Sequence, residues 1–109
     1  MLSFLLAAIS VKAVLDYPPR ITGNCHPARV HFTGRITSSG AAAVRYAWVR
    51  NDRPSTATFV LNFDKPGSLP VTYDWIMTGP ADGWVALQVI SPESTNSGKV
   101  EFHVSCPTR

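Results

Sequence analysis

Residues 24–36 read NCHPARVHFTGRI, placing Cys25 beside His26 and a second histidine, His31, five positions further on. Those residue types are the raw material of a thiolate nucleophile or a zinc centre. A reactive cysteine must stay reduced, have a lowered pKa and face an oriented base. His26 is the next residue, so in an extended segment it points to the opposite side from Cys25. The other cysteine is Cys106, near the far end of the chain. An even, widely separated pair predicts one disulfide formed in an oxidising compartment. Closing a loop of about 80 residues would constrain the unfolded chain by roughly 4 kcal/mol. Two reduced, buried thiols in a cytosolic protein are the alternative. With the cysteines paired, only His26, His31 and His103 remain as zinc ligands, whereas a site needs three or four at suitable spacing. The chain holds no GxSxG, HExxH, phosphate-cradling glycine loop or paired-carboxylate signature. The expectation is therefore no enzyme, no metal and no cofactor.

The elements that must position these residues alternate. Ile9, Val11, Ala13, Leu15 and Tyr17 share one parity against Ser10, Lys12 and Asp16, which reads as a first strand over about 9–16. Val30, Phe32 and Ile36 alternate with His31, Thr33, Arg35 and Thr37. Beyond the turn-like SSGAA, Val44, Tyr46 and Trp48 alternate with Arg45, Ala47 and Val49. Proline and aspartate mark a loop after Asn51. Phe59, Leu61 and Phe63 follow, then DKPGSLP. Leu69, Val71, Tyr73, Trp75 and Met77 make the next stripe, ended by TGPADG. Val85, Leu87 and Val89 precede the turn SPESTNSG, and Val100, Phe102, Val104 and Cys106 close the series. No window carries a 3.6-residue period. About seven short alternating strands with polar turns predict an all-β, antiparallel β-sandwich, with a small closed barrel as the competitor.

Length and composition agree with that reading. One domain fits 109 residues, with 45% hydrophobic and 16% charged residues, seven glycines and nine prolines. The net charge of +3 is a mild excess, and a dedicated nucleic-acid binder carries a denser basic stripe with a recognisable module. Residues 1–8 are expected to be a remnant of a signal, a linker or an expression-derived extension. The domain is expected over 9–106, with a tail at 107–109. No segment reaches the ~18 apolar residues of a membrane-spanning helix.

Several strings carry a resemblance across most of the chain: Cys25 with Pro27 close behind, FTGRIT at 32–37, VRYAWVR at 44–50, Trp75, GWVAL at 83–87, Ser91-Pro92 and FHVSC at 102–106. Together they resemble immunoglobulin-like domains of secreted or surface-anchored bacterial proteins, frequent in actinobacteria. The resemblance implies an immunoglobulin-like sandwich of about seven strands with the core indole at Trp48. It implies a non-catalytic extracellular interaction or spacer module, secreted or at the cell surface. The usual inter-sheet disulfide and tyrosine corner are absent, so a Cys25–Cys106 bond would clasp strand ends. His26 between Cys25 and Pro27 is a departure from the pattern. In this topology His31 and His103 would lie in different sheets and face opposite ways.

The remaining candidates are binding residues. Trp84 has outward parity beside Gly83 and is suited to stack on a sugar ring or a partner's apolar group. Arg29, His31 and Arg35 share the outward edge of one strand, and an anionic cell-wall polymer, membrane surface or acidic protein would suit them. Arg45 lies on a strand of the other sheet and would not join them. The expected partner is a protein or cell-surface glycan met by a monomer, with no nucleic acid. Two alternative functions are a small secreted protease inhibitor, echoed only by Arg53-Pro54, and a carbohydrate-binding module, which needs Trp84 or Trp75 exposed on a flat face.

Overall fold

The computed structural model describes residues 9–23, 27–52 and 57–106, and these form strands and turns without a helix. Nine strands occur among them: β1 (Val11–Leu15), β2 (Arg20–Gly23), β3 (Ala28–Ser38), β4 (Ala42–Arg50), β5 (Phe59–Phe63), β6 (Gly67–Met77), β7 (Ala81–Ser91), β8 (Thr95–Asn96) and β9 (Val100–Val104). All seven strands read from the alternation are present. The two additions, β2 and β8, are short; β8 falls in the SPESTNSG turn, and β2 in a segment where the alternation marks no strand.

Two antiparallel sheets result. In the first, β6 runs along the whole of β3, from Ala28↔Met77 to Ser38↔Gly67. The opposite edge of β3 is shared: β1 takes residues 34–38 and β2 takes 28–31. In the second, the order is β5–β4–β7, with β8 and β9 sharing the far edge of β7. No backbone ladder joins the sheets among the described residues, so the closed-barrel alternative is not adopted. They are tied at one margin by a side chain, where the Val11 N–H donates to Glu93 Oε1 at 3.0 Å.

The core lies between the sheets, where the parity placed it. Val30, Phe32 and Ile36 of β3 are fully buried, as are Val44 and Trp48 of β4 and Val85, Leu87 and Val89 of β7. Aromatic rings cross the interface: Phe32 meets Phe102 edge-on at 5.7 Å, and Trp48 stacks on Tyr73 at 5.3 Å. These pairs add about 0.5–1.5 kcal/mol each beyond their area burial. Gly34 sits on the inward face of β3 beneath β1. A Cβ there would meet Val14 O at 2.6 Å and Leu15 Cδ2 at 2.7 Å, so only glycine lets β1 approach. Every described side-chain N or O that is buried has a hydrogen-bond partner.

Two local departures from strict alternation have visible causes. Tyr17 shares the inward parity of the first strand, yet its side chain is 73% exposed. The ladder of β1 ends at Leu15, and the Tyr17-Pro18 corner leads away toward β2 before the alternation can continue. On β7 the register jumps by one between Arg45↔Ser91 and Tyr46↔Val89. That bulge leaves Ile90 without a ladder partner on β4, while its 45% exposure follows the outward parity of β7.

Candidate interaction surfaces

Cys25 and His26 lie outside the described residues, as do Arg53 and Pro54. The rest of the stretch at 24–36 resolves by parity. Val30, Phe32 and Ile36 are core, while Arg29, His31 and Arg35 point outward from β3. His31 stands opposite Asp74 of β6 in the ladder, and its Nδ1 pairs with Asp74 Oδ1. His103 makes the same contact with Asp82 across β7 and β9. The two histidines therefore belong to different sheets, each bound to its own cross-strand aspartate. No three potential metal ligands group together among the described residues.

The strand missed in the sequence changes the arginine picture. Arg20 of β2 is opposite His31, and Thr22 is opposite Arg29, so Arg20 joins the outer face of β3. Lys12 reaches it from β1, opposite Thr37. Lys12, Arg20, Arg29 and Arg35 are all exposed on this one face. Arg45, on β4, belongs to the other sheet and stays apart, as expected. The signal for β2 was weak because four residues beside prolines and a glycine are too few to display an alternation.

The second sheet's outer face is built differently. Trp84 is half-buried rather than open, and the Lys99 ammonium sits 4.4 Å from its ring centroid. Its backbone N–H donates to Asn51 Oδ1 at 2.9 Å. Gly83 allows that approach, because a Cβ there would meet Asn51 Oδ1 at 2.6 Å and the Phe102 ring at 2.8 Å. Asn51, Asp82, Gly83, Trp84 and Glu101 line an open cleft. Trp75, the other indole considered for sugar stacking, faces inward. It packs edge-on to Phe102 at 5.4 Å and lies under Arg50, whose guanidinium carbon is 3.8 Å from the ring centroid.

Arg50 ends β4. It shares the inward parity of Trp48 and closes the end of the core. Its Nε donates to Asp52 Oδ1 at 2.7 Å, its Nη2 pairs with Asp52 Oδ2, and its Nη1 donates to the Tyr73 hydroxyl at 2.9 Å. The bond to Asp52 raises the guanidinium pKa further above its ordinary value, against the opposing effect of burial. This cation is structural: three of its five N–H donors are engaged by Asp52 and Tyr73, and its plane lies against the Trp75 ring.

No helix among the described residues is long and apolar enough to cross a membrane. No protein-family model matches the chain, and neither a curated protein nor a solved structure matches it. The chain is thus characterised by its own architecture, an all-β fold of two antiparallel sheets around one aromatic core.

Proposed function

We propose that the chain is a non-catalytic extracellular interaction module of immunoglobulin-like type, secreted or held at a bacterial cell surface, with Cys25 and Cys106 joined. The strand order is the observation that carries this reading. A sheet of β1/β2–β3–β6 facing a sheet of β5–β4–β7–β9 has the Greek-key exchange expected of such domains, with consecutive strands β3 and β4 in opposite sheets. Trp48, buried on β4, stands where the resemblance puts the core indole. In this reading Cys106, which packs against the core beyond β9, is the end of the clasp to Cys25.

Alkylation without reductant, followed by intact mass, tests the extracellular assignment. The expected result is no alkylated cysteine before reduction and two after it. Two alkylated cysteines in the native protein would sink the assignment. A carbohydrate reading keeps some support from the cleft beside Trp84, but Lys99 already covers the ring there. Glycan retention that disappears in Trp84→Ala would favour it over the present reading.

A further inference from the structure

We infer that the outer face of the first sheet binds a linear polysaccharide bearing carboxylate or sulfate groups, with Arg20 as the central anion contact. This rests on the interaction-module reading and names the partner class. Three strands contribute cations to the face: Lys12, Arg20, Arg29 and Arg35. Arg29 and Arg35 stand six residues apart on β3, so they span about 20 Å of strand. Arg20 lies across the ladder from the residues between them. The face thus presents an elongated cationic band rather than a point charge.

Two carboxylates share this face with the four cations, and each is held by a neighbour rather than by one of those cations. Asp16 accepts the Thr33 hydroxyl at 2.7 Å, and Asp74 is held by His31. None of the four cations forms an ion pair with a described carboxylate. Their donors remain directed to solvent, where an anionic ligand can take them.

A notch interrupts the band near its centre. β1 leaves β3 after Leu15↔Gly34, and β2 joins it only at Arg20↔His31. Asp16 stays on β3, its N–H donating to Thr33 O at 2.9 Å and its carboxylate accepting the Thr33 hydroxyl, and the chain beyond it leaves a cleft lined by Pro18, Arg20, His31 and Thr33. A carboxylate or sulfate entering it meets the Arg20 guanidinium, with Arg29 and Arg35 flanking for the neighbouring charges of the same polymer.

The rest of the face selects among polyanions. Thr22, Thr37, Ser68 and Thr72 place hydroxyls beside the band, which suits a hydroxylated chain. Nucleic-acid single strands are held on aromatic stacking platforms, and the described residues of this face offer none beyond the His31 ring already engaged by Asp74. Insertion into a bilayer interface needs a broad apolar surface with Trp, Phe or Leu, whereas only Val14 and Ile76 are exposed between the charges.

Chromatography of the full chain on immobilised heparin and alginate, with uncharged dextran as control, tests the surface. Retention at low salt on either charged matrix, and none on dextran, is expected. Elution should depend steeply on salt, with a log–log slope of about three to four for as many engaged cations. Arg29→Glu with Arg35→Glu should pass in the flow-through, and Arg20→Glu should elute at a distinctly lower salt. Arg45→Glu with Lys65→Glu, the same charge change placed elsewhere, should elute like the parent. Melting curves confirm that each variant is folded. Equal loss in the control pair, or flow-through of the parent, overturns the inference. Displacement by duplex DNA or by phosphatidylserine vesicles at lower anion concentration than alginate would overturn it in favour of that other partner. An oxidised chain that fails to bind removes this surface but leaves the module. A chain with two free thiols that binds removes the extracellular module but leaves the surface.

Discussion

On the outer face of the first sheet, Lys12, Arg20, Arg29 and Arg35 project into solvent around an open notch. On the outer face of the second, Trp84 lies half-buried under Lys99, and Ala47 and Ala86 are 2% exposed although their parity points away from the core. Both faces follow the same alternation, so parity alone does not make a binding surface. What separates them is the size and charge of neighbouring residues. Ala47 stands opposite Gln88 and Ala86 opposite Val49, so each short side chain has a longer cross-strand neighbour, whereas Arg29 and Arg35, opposite Ile76 and Pro70, are long enough to remain exposed. A pair of arginines teaches the same point. Arg45 is solvated, while Arg50, five residues on with the opposite parity, is locked onto Asp52, Tyr73 and Trp75.

The comparison can be broken most forcefully through the core that both sheets share. Phe32→Ala should destabilise by about 3–5 kcal/mol, because it removes a ring packed between the two sheets and leaves a cavity. Urea denaturation would show it, and a loss below that of an ordinary surface change would mean the sheets do not share one core.

Gly34→Ala should cost about 1–3 kcal/mol as an overpacking change that pushes β1 from β3. It acts within the first sheet, where β1 joins β3. Amide exchange should therefore rise first over 11–15, with β4 and β7 little affected.

Arg50→Met should cost about 2 kcal/mol, since it removes charged hydrogen bonds and a cation–π contact while keeping much of the packing. Arg45→Met should stay within about 0.5 kcal/mol. Equal effects at the two positions would erase the distinction between inward and outward arginines.

Lys99→Ala should cost about 0.5–1 kcal/mol and alter the Trp84 fluorescence by uncovering its ring. The smallest effect concerns Tyr46, whose burial holds its phenol above the ordinary value of 10.0. The unfolded chain ionises first as pH rises through 10, so this contribution is intact below that pH and is lost above it. Denaturation midpoints at rising pH should fall less steeply in Tyr46→Phe than in the parent.

Much of the fold was legible because a strand's side-chain period is two. The stripes through Val30, Phe32 and Ile36, through Leu69 to Met77, and through Val100 to Val104 are the buried faces of β3, β6 and β9. Strands β2 and β8 were hidden because each is only two to four residues long, too short to display an alternation of its own, and is held by its ladder to a neighbouring strand. Arg29, His31 and Arg35 were recognisable as an outward edge. That Arg20 and Lys12 complete the band was not, since it depends on which strands share β3.

The sequence by itself determined the strand class and most of the inward residues, because alternation and turn chemistry are local properties of the chain. Only the tertiary structure decided which outward residues gather, which are covered and which cation is already engaged. Those outcomes depend on meetings across long sequence separations, where Lys12 stands opposite Thr37 and Arg50 meets Tyr73. No local pattern encodes such a meeting, because its stabilisation arises only once the ladder and the core have formed.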